Sequence, residues 1–347
     1  MTFRTSFHDR PVLVTGGCGF LGRALVARLR AGGARVRVLD DCSATGGVCL
    51  LEPDAGTIFR RGSVTDEQAV REIAEGVELV IHLASVVGMR SVHKDPERAF
   101  QVSDRGTATV LAATGDAHAV LVSSSCVYGL RAAEPAREFE APTESACLAY
   151  DGGRRGYACG KLRLEQHGAA ARREGRPVLI LRPFNVVGPG QDPEQGMVIP
   201  TFVRSALRGE PLRIFGDGNQ TRCFSGIDYF VERVLALLAL PEAWTAEDAT
   251  YNIGSTEATS IGELARLVIE AAGSPSTVEH VPFEQAYPGR RDVLHRKPSE
   301  AALDRILGPP SWPPIETIVT QVVAKAARAV SETGAKDARG DIAANGR

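Results

Sequence analysis

The feature that most constrains the fold is an alternation of short apolar runs, rich in β-branched residues, with longer amphipathic segments. The series begins with VLVTG, FLGRALVARLRAG, RVRVLD, TIFRRG, DEQAVREIAEG and ELVIHLA, in that order. Continuous apolar runs are typical of parallel strands buried on both faces, and amphipathic segments between them are typical of the helices that cover those faces. The pattern therefore predicts an α/β protein with a doubly wound parallel sheet of the Rossmann type.

The same rhythm continues to the middle of the chain and then changes. Further helices are expected from about Pro96 to Ala113 and around Tyr157 to Arg173, and further strands at AVLVSS and PVLILRP. Residues 185–222 are dense in Gly and Pro, and helix signals return at YFVERVLALLAL and SIGELARLVIEAAG. The predicted organisation is a cofactor-binding domain of residues 1–183 and about 223–255, a smaller C-terminal substrate-binding lobe of about 184–222 and 256–325, and a disordered tail at 326–347.

Composition and charge exclude several classes of function. The chain has 40 basic and 42 acidic residues, so it lacks the positive charge of a nucleic-acid-binding protein. The N-terminal MTFRTSFHDR has no apolar leader segment, and no run approaches the roughly 20 apolar residues of a membrane span. Seven cysteines without CxxC spacing predict reduced thiols, with neither a disulfide framework nor a metal site. We therefore expect a cytoplasmic protein with small-molecule partners.

The segment GGCGFLG predicts a nucleotide site, because it follows the first strand and opens the first helix. Gly16, Gly19 and Gly22 have GxxGxxG spacing, which permits a tight turn and lets backbone N–H groups approach a pyrophosphate. Asp40 lies 18 residues after Gly22 at the end of the second strand, where a carboxylate accepts hydrogen bonds from an adenosine ribose. The carboxylate of Asp40 would repel a 2′-phosphate, so NAD is favoured over NADP. In the simpler alternative, Asp40 and Asp41 are only the solvent-exposed end of the strand.

A second candidate pair is Tyr157 and Lys161 in YACGK. Four residues apart at the start of a predicted helix, they share one face, and an ordinary surface pair is the alternative. A tyrosine acts as a base at neutral pH only if its pKa falls by about three units, or roughly 4 kcal/mol. A lysine one turn away and a nicotinamide cation would supply that change.

With these motifs the chain resembles the extended short-chain dehydrogenase/reductases that act on nucleotide sugars. The resemblance covers roughly residues 11 to 320 and rests on VTGGCGFLG, VIHLAS, SSSCVYG, YACGK, LRPFNVVGPG, IFGDGNQTRCF and YNIGS, in that order. It implies an NAD-dependent enzyme with a nucleotide-diphosphate sugar as substrate. It also implies a homodimer formed through the helices near 96–113 and 157–173.

The resemblance also implies roles for individual residues. Tyr157 would be the general base, Lys161 would tune it and hold the nicotinamide ribose, and Ser124 would bind the reacting sugar oxygen. The cofactor residues implied are Gly16, Gly19, Phe20, Leu21, Gly22, Asp40, Ser63, Val64, Leu83, Ala84, Ser85, Tyr157, Lys161 and Pro183. The substrate residues implied are Met89, Ser125, Asn185, Arg222 and Arg291. Four positions depart from the family pattern: Ser63, Ser103, Gly160 and Cys223 stand where Asp, Asn, Ser and Asp are usual.

The thiol of Cys126 in SSSCVYG leaves the reaction open. Family members that eliminate water carry Glu at this position, and a thiol with a pKa near 8.5 is a less versatile acid and base than Glu with Asp. Simple 4-epimerases have a small residue there, whereas 3,5-epimerases of GDP-sugars have a proton-moving Cys in the pattern S-x-C-[IV]-Y, which SSCVY matches. The second acid of those enzymes follows the GP motif, where this chain offers only Gln191, Asp192, Glu194 and Gln195. Cys126 as catalyst and Cys126 as buried packing stay equal alternatives.

The predicted function is NAD-dependent epimerisation of a nucleotide-diphosphate sugar through a transient 4-keto intermediate. Inversion takes place at C4, or at C3 and C5 if Cys126 moves a proton there. The enzymatic alternatives are a dehydratase, a decarboxylase or a reductase of the same fold, and the non-enzyme alternative is an NAD-sensing scaffold. His82 in VIHLAS is interpreted as a strand-end residue near the cofactor rather than as a catalyst.

Overall fold

The computed structural model describes residues 7–49, 51, 56–130, 135–140, 142–150, 152–246, 248–289 and 291–344. Its strands are β1 Pro11–Thr15, β2 Arg35–Asp40, β3 Thr57–Arg61, β4 Leu79–His82, β5 His118–Val122, β6 Val178–Pro183, β7 Val186–Val187, β8 Leu212–Phe215, β9 Thr221–Cys223, β10 Ser225–Gly226, β11 Thr250–Ile253, β12 Ala258–Ser260, β13 Val278–Val281 and β14 His295–Arg296. Its α-helices are α1 Phe20–Ala31, α2 Glu67–Ala74, α3 Met89–Lys94, α4 Pro96–Thr114, α5 Glu144–Leu148, α6 Gly152–Arg173, α7 Val198–Leu207, α8 Ile227–Leu238, α9 Pro241–Thr245, α10 Ile261–Ala272, α11 Phe283–Ala286, α12 Ala301–Leu307 and α13 Ile315–Ala344.

Seven parallel strands form the main sheet in the order β11-β6-β5-β4-β1-β2-β3. All five residues of β1 are buried, as expected of a strand covered on both faces. Its alternate residues enter different cores: Val12 and Val14 pack with α1 and α8, whereas Leu13 packs with α2 and α4. The predicted α/β fold with a doubly wound parallel sheet is confirmed.

A separate hydrophobic cluster lies outside the main sheet. It is formed by α7, α10 and the first part of α13 with β8, and its members include Phe202, Ile214, Leu264 and Val319. The strands β8 and β13 pair in parallel beside it. These segments fall within the residues predicted for the smaller lobe, whose exact boundaries stay a prediction.

The C-terminal segment differs from its prediction. The sequence analysis expects disorder over residues 326–347, but α13 runs from Ile315 to Ala344; residues 345–347 lie outside the described part of the chain. The reason is local: AKAARAVSETGAKDARGDIAA consists largely of Ala, Lys, Arg and Glu, which favour helix even where few large apolar residues are present. No helix in the described part of the chain combines the length and apolar character needed to cross a bilayer.

A buried polar network ties α6 to the sheet. Glu165 of α6 accepts hydrogen bonds from the Arg182 guanidinium of β6 at 2.8 and 2.9 Å and from the hydroxyl of Ser123 at 2.6 Å. Arg182 also donates to the hydroxyl of Tyr128 at 2.7 Å, which in turn donates to the side-chain oxygen of Asn252 in β11 at 2.8 Å. Because the charges are paired and their donors used, this buried network fixes the position of α6 over the carboxyl ends of the strands.

Close packing of α6 against α3 and α4 depends on glycines along one face of α6. A Cβ atom at Gly153 or Gly156 would overlap a backbone carbonyl oxygen, of Val92 and Pro96 respectively. At Gly160 a Cβ would lie 2.9 Å from the Cβ of Ser103. Ser103 and Gly160, two of the four positions that depart from the family pattern, therefore pack against each other. Their contact concerns the packing of α4 against α6 rather than the chemistry.

Gly156→Ala should destabilise the protein, because the added methyl group overlaps an oxygen that the backbone of α4 holds in place. We expect the free energy of unfolding to fall by about 1–3 kcal/mol, measured by urea denaturation. Gly262→Ala in α10 is the matched control, since its Cβ would find only an ordinary contact at 3.5 Å; this change should be neutral or stabilising by up to about 1 kcal/mol. Equal effects of the two substitutions would contradict this account of the α4–α6 interface.

Candidate active site

A cavity of about 640 Å³ lies at the carboxyl ends of the main sheet strands, where open α/β folds bind ligands. It is bordered by the segments that follow β1, β2, β4, β5 and β6. All predicted cofactor residues line it, namely Gly16, Gly19, Phe20, Leu21, Gly22, Asp40, Ser63, Val64, Leu83, Ala84, Ser85, Tyr157, Lys161 and Pro183. The chain thus brings into one cavity residues that are up to 167 positions apart.

The glycine-rich turn has the shape that a pyrophosphate needs. Gly16 adopts a left-handed backbone with φ 74°, and a Cβ there would lie 2.7 Å from the amide nitrogen of Ala84. A Cβ on Gly22 would overlap the carbonyl oxygen of Gly16. Helix α1 begins at Phe20 with no side-chain cap and no acidic residue in its first turn, so its free N–H groups and positive dipole end face the cavity. These features fit the diphosphate of a dinucleotide.

Asp40 lies in the cavity wall rather than at a solvated strand end. Its two carboxylate oxygens accept hydrogen bonds from the backbone N–H groups of Cys18 and Cys42 at 2.9 and 2.7 Å. Burial raises its pKa, with a further increase from the charge of Asp41. Asp41 forms an ion pair with Arg98 at 2.8 Å. Asp40 is therefore positioned to accept the ribose hydroxyls of an adenosine.

The remaining cofactor-side residues are held by short hydrogen bonds. The hydroxyl of Ser63 bonds to that of Thr65 at 2.8 Å, and the hydroxyl of Ser85 bonds to that of Ser103 at 3.1 Å. His82 is fully buried between the hydroxyls of Thr15 and Thr107, at 2.7 and 3.1 Å. His82 is not among the residues that line the cavity, so its ring stabilises the strand end, as the sequence analysis expects.

The predicted proton-transfer groups meet at the end of β5. Tyr157, Ser124 and Lys161 all line the cavity, and the ammonium nitrogen of Lys161 lies 5.8 Å from the centre of the Tyr157 ring. Lys161 is 2% exposed and donates to the carbonyl oxygen of Val122 at 2.7 Å. Burial lowers its pKa to about 8, against the charges of Cys126 and Glu165, which raise it.

The pKa of Tyr157 differs from the sequence-based expectation. Burial and the neighbouring thiol of Cys126 raise it above its ordinary value, and the hydrogen bond with Ser124 only partly offsets this. Lys161 is not among the groups that lower it, because its ammonium group is directed to the carbonyl of Val122. The protein residues alone therefore keep Tyr157 protonated.

Cys126 lines the cavity beside Ser124 and Tyr157. Its N–H donates to the hydroxyl oxygen of Ser124 at 3.3 Å. Burial raises the pKa of its thiol to about 11, although the hydrogen bond with Ser124 and the charges of Arg296 and Lys161 lower it. At neutral pH this group is a thiol, which can donate a proton but is a poor base.

The substrate side of the cavity contains four of the five predicted residues. Met89, Ser125, Asn185 and Arg222 line it. Arg291 does not line the cavity and is exposed. In this segment Val293 and Arg296 line the cavity instead, so the role predicted for Arg291 stays a prediction without support from its position.

Arg296 is the functional residue that the sequence analysis missed, with Tyr150 and Arg154 beside it in the cavity wall. Its guanidinium donates to the carbonyl oxygens of Ser125 and Gly129 and to the hydroxyl of Tyr150, the last at 2.7 Å. It reaches the site because β14 pairs with β9, which places Arg296 opposite Arg222. The two-residue strand has no periodicity that would have revealed this pairing.

The segment after the GP motif supplies one acid to the cavity wall. Gln191, Asp192 and Gln195 line the cavity, whereas Glu194 forms ion pairs with Arg90 and Arg204. Gln195 accepts a hydrogen bond from the hydroxyl of Ser91 at 3.0 Å. In the described part of the chain no glutamate lines the cavity.

Comparison with known proteins agrees with this geometry. A family model described as the NAD dependent epimerase/dehydratase family matches residues 12–254. A UDP-N-acetyl-alpha-D-glucosaminuronate decarboxylase from Bacillus cytotoxicus is 32% identical over 295 residues, which are 84% of this chain and 89% of that protein.

Two solved structures resemble the whole fold. A UDP-glucose 4-epimerase from Thermotoga maritima, crystallised with UDP-glucose, is 26% identical with a TM-score of 0.77 and covers 92% of this chain and 99% of its own. A UDP-glucose 4-epimerase from Thermus thermophilus, in complex with NAD, is 26% identical with a TM-score of 0.76 and covers 91% and 98%. The chain is similar to proteins of more than one activity.

The buried imidazole of His82 should make stability depend on pH. Burial lowers its pKa to about 3, with a smaller contribution from the charge of Lys161. The unfolded chain takes up this proton near pH 6.5 and the folded chain only near pH 3, so the unfolding free energy should fall as the pH drops through this interval. The contribution is about 1.4 kcal/mol per pH unit.

Urea unfolding of His82→Gln at several pH values between 4.5 and 6.5 checks this, since Gln can bond to both threonine hydroxyls but does not titrate. Its pH dependence should be shallower than that of the unsubstituted protein. His280→Gln is the control, because His280 is exposed and should leave the slope unchanged. The same slope in His82→Gln as in the parent protein would contradict the prediction.

Proposed function

Since the chain belongs to the NAD-dependent epimerase/dehydratase family, with NAD as its cofactor, we propose that it is an epimerase that inverts C4 of a nucleotide-diphosphate sugar. The observation that carries the proposal is the set of Ser124, Tyr157 and Lys161 in one cavity, without a glutamate among its described lining residues. Oxidation and reduction at one carbon need only these groups, whereas elimination of water needs a further acid.

The residues proposed to hold NAD are those of the glycine-rich turn for the pyrophosphate, Asp40 for the adenosine ribose and Lys161 for the nicotinamide ribose. NAD supplies a hydride acceptor and donor, and its positive ring adds the charge that would lower the pKa of Tyr157. Asn185 and Arg222 are proposed to bind the substrate diphosphate. Arg222 is suited to this because its guanidinium lines the cavity as a fixed positive charge; the carboxylate of Asp292 lies 3.5 Å from it.

In the proposed reaction Tyr157 removes the proton of the C4 hydroxyl and later returns it to the oxygen. Ser124, which lines the cavity together with Tyr157, holds that oxygen through its hydroxyl. Lys161, one helical turn after Tyr157, is itself held in place by its bond to the Val122 carbonyl. For inversion, the 4-keto sugar turns within the cavity so that its other face is reduced.

A second candidate is decarboxylation of a nucleotide-diphosphate uronic acid, which the position of Arg296 favours. Its cation lies near Cys126 and lowers the pKa of that thiol, so a carboxylate on C5 of the sugar would find a positive charge there. The 32% identical relative is itself a decarboxylase. A 4-keto uronate loses carbon dioxide by breaking the C5–C6 bond, and the electron pair passes to the C4 oxygen. Cys126, as a neutral thiol, can then give its proton to C5.

Inversion at C3 and C5 with Cys126 as base has less support. Its raised pKa keeps it protonated, and Asp192 is the one acid among the four residues considered after the GP motif that lines the cavity. A non-catalytic NAD-sensing scaffold would not need Ser124, Tyr157 and Lys161 together. The homodimer through α4 and α6 and the cytoplasmic location also stay proposals, and sedimentation of the purified protein tests the first.

Tyr157→Phe should lower turnover of the identified substrate by about 10²–10⁴-fold, the usual contribution of a positioned acid or base. NAD content, measured by mass spectrometry after denaturation, should not change, because the phosphate and ribose contacts remain. The control is Tyr229→Phe, since the Tyr229 hydroxyl bonds to the backbone of Ser311 at 2.7 Å, outside the cavity. Near-normal turnover of Tyr157→Phe would exclude the mechanism, and an inactive parent protein that binds NAD would favour the scaffold.

A panel of UDP-, GDP- and dTDP-hexoses and hexuronates in deuterated water should separate the candidate reactions by NMR. Hydride that leaves C4 and returns to it does not meet the solvent, so a 4-epimerase gives an isomer without deuterium on carbon. A decarboxylase gives carbon dioxide and a pentose labelled at C5, and a 3,5-epimerase labels C3 or C5 with every carbon retained.

We expect the unlabelled C4 epimer, and Cys126→Ala should form it at a rate within a few-fold of the parent. A labelled pentose from a hexuronate would replace the first candidate with the second, and Cys126→Ala should then lose most of that activity while Tyr157 still permits oxidation at C4. Label at C3 or C5 that disappears in Cys126→Ala would overturn both candidates.

A further inference from the structure

Two thiols lie close to the carboxylate of Asp40, which lines the cavity, and a third thiol lies beside one of them. The ligand atoms of Cys18, Asp40 and Cys42 all lie within 4.8 Å of one another. The sulfur of Cys49 lies 3.4 Å from that of Cys18. We call Cys18, Asp40, Cys42 and Cys49 the thiol cluster. None of its three cysteines has a part in the proposed reaction.

Backbone structure holds the thiol cluster together. The N–H groups of Cys18 and Cys42 donate to different oxygens of Asp40, so each thiol is anchored beside the carboxylate. Cys42 has a left-handed backbone with φ 58°, a conformation that is unfavourable for a residue with a Cβ. The carbonyl of Cys42 accepts hydrogen bonds from the N–H groups of Thr45 and Gly47, and this closed loop returns the chain so that Cys49 meets Cys18.

The set of donors is the one that zinc prefers. Tetrahedral zinc sites in proteins use sulfur, nitrogen and carboxylate oxygen, and a Zn–S bond of about 2.3 Å separates two sulfurs by about 3.8 Å. The sulfurs of Cys18 and Cys49 need to move apart by only a few tenths of an ångström from their 3.4 Å separation. Cys18 and Cys42 are 0% and 1% exposed, so water would not compete for the ion from their side. Magnesium and calcium prefer oxygen ligands.

We propose that Cys18, Asp40, Cys42 and Cys49 bind one zinc ion. The spacing of the ligands explains why the sequence analysis expected no metal site: they come from the glycine-rich turn, the end of β2 and the following loop, and no two cysteines form a CxxC pair. Binding would release the thiol protons to the solvent.

The zinc ion and NAD should compete for the protein. Asp40 is the carboxylate proposed to accept the adenosine ribose, so an ion bound to it would withdraw that acceptor; this part rests on the proposed function. Zinc binding would therefore favour release of the cofactor. The existence of the metal site itself does not depend on NAD.

The test is a titration of the full-length protein with Co²⁺ after treatment with a chelator, in the presence of a phosphine reductant that does not bind metals. We expect one equivalent of Co²⁺ to produce the thiolate-to-cobalt charge-transfer absorption of a tetrahedral site, and Zn²⁺ to abolish it. Cys42→Ser and Cys49→Ser should each weaken Co²⁺ binding at least tenfold. Cys159→Ser, in α6 and outside the thiol cluster, should bind as the parent does. Circular dichroism shows whether each variant is folded.

Equal Co²⁺ affinity in the parent and in folded Cys42→Ser and Cys49→Ser would overturn the proposal. So would the absence of the charge-transfer absorption together with a Cys18–Cys49 disulfide in the peptide map of protein oxidised with diamide. Added NAD should weaken Co²⁺ binding by the parent. If NAD binds and the cobalt spectrum persists, the metal site stands and the competition is refuted. If NAD does not bind, the role of Asp40 in the proposed function fails while the metal site stands.

Discussion

The buried ion pair between Glu165 and Arg182 is the interaction on which the geometry of the candidate active site depends. It joins α6, which carries Tyr157 and Lys161, to β6, and Glu165 also accepts from Ser123 at the end of β5. A buried pair of this kind adds little net stability, but removing one partner leaves an unpaired charge at a cost of about 3–5 kcal/mol. The ion pair therefore fixes the position of α6, because any shift of this helix relative to the sheet would leave a buried charge unpaired.

On the other side of the cavity, Arg296 fixes the turn that follows β5. Arg296 holds the turn that contains Ser125 and Cys126 by donating to the carbonyl oxygens of Ser125 and Gly129. Its carrier strand β14 is placed by β9, which also carries Arg222. The turn at Cys126 is thus fixed on one side by the sheet and on the other by the segment that carries Arg296.

The sequence predicts those features of this molecule that depend on the spacing of residues within a single segment. The strand and helix pattern, the glycine-rich turn, Asp40 and the pair Tyr157 and Lys161 all follow from spacing within single segments, and their placement in one cavity follows from the topology of parallel sheets. Arg296 and the thiol cluster do not, because each depends on a contact between segments with no periodic pattern. The raised pKa of Tyr157 could not be predicted from the sequence either, because it depends on burial and on the direction of the Lys161 ammonium group. The disorder expected for residues 326–347 rested on the loss of large apolar residues, which does not exclude a helix rich in alanine such as α13.

The pairing of Arg296 with the turn at Ser125 has a consequence for biosynthesis. These residues are separated by 171 positions. In addition, β11 joins the main sheet beside β6 only after the intervening residues 184–249 have been made. Contacts of such large sequence separation form late, because the entropy of closing a long loop must first be overcome. A nascent chain emerging from the ribosome would build the first six strands and the dinucleotide turn well before the sugar end of the cavity. The order of synthesis therefore places the glycine-rich turn ahead of the contact between Arg296 and Ser125, which closes the opposite wall of the same cavity last.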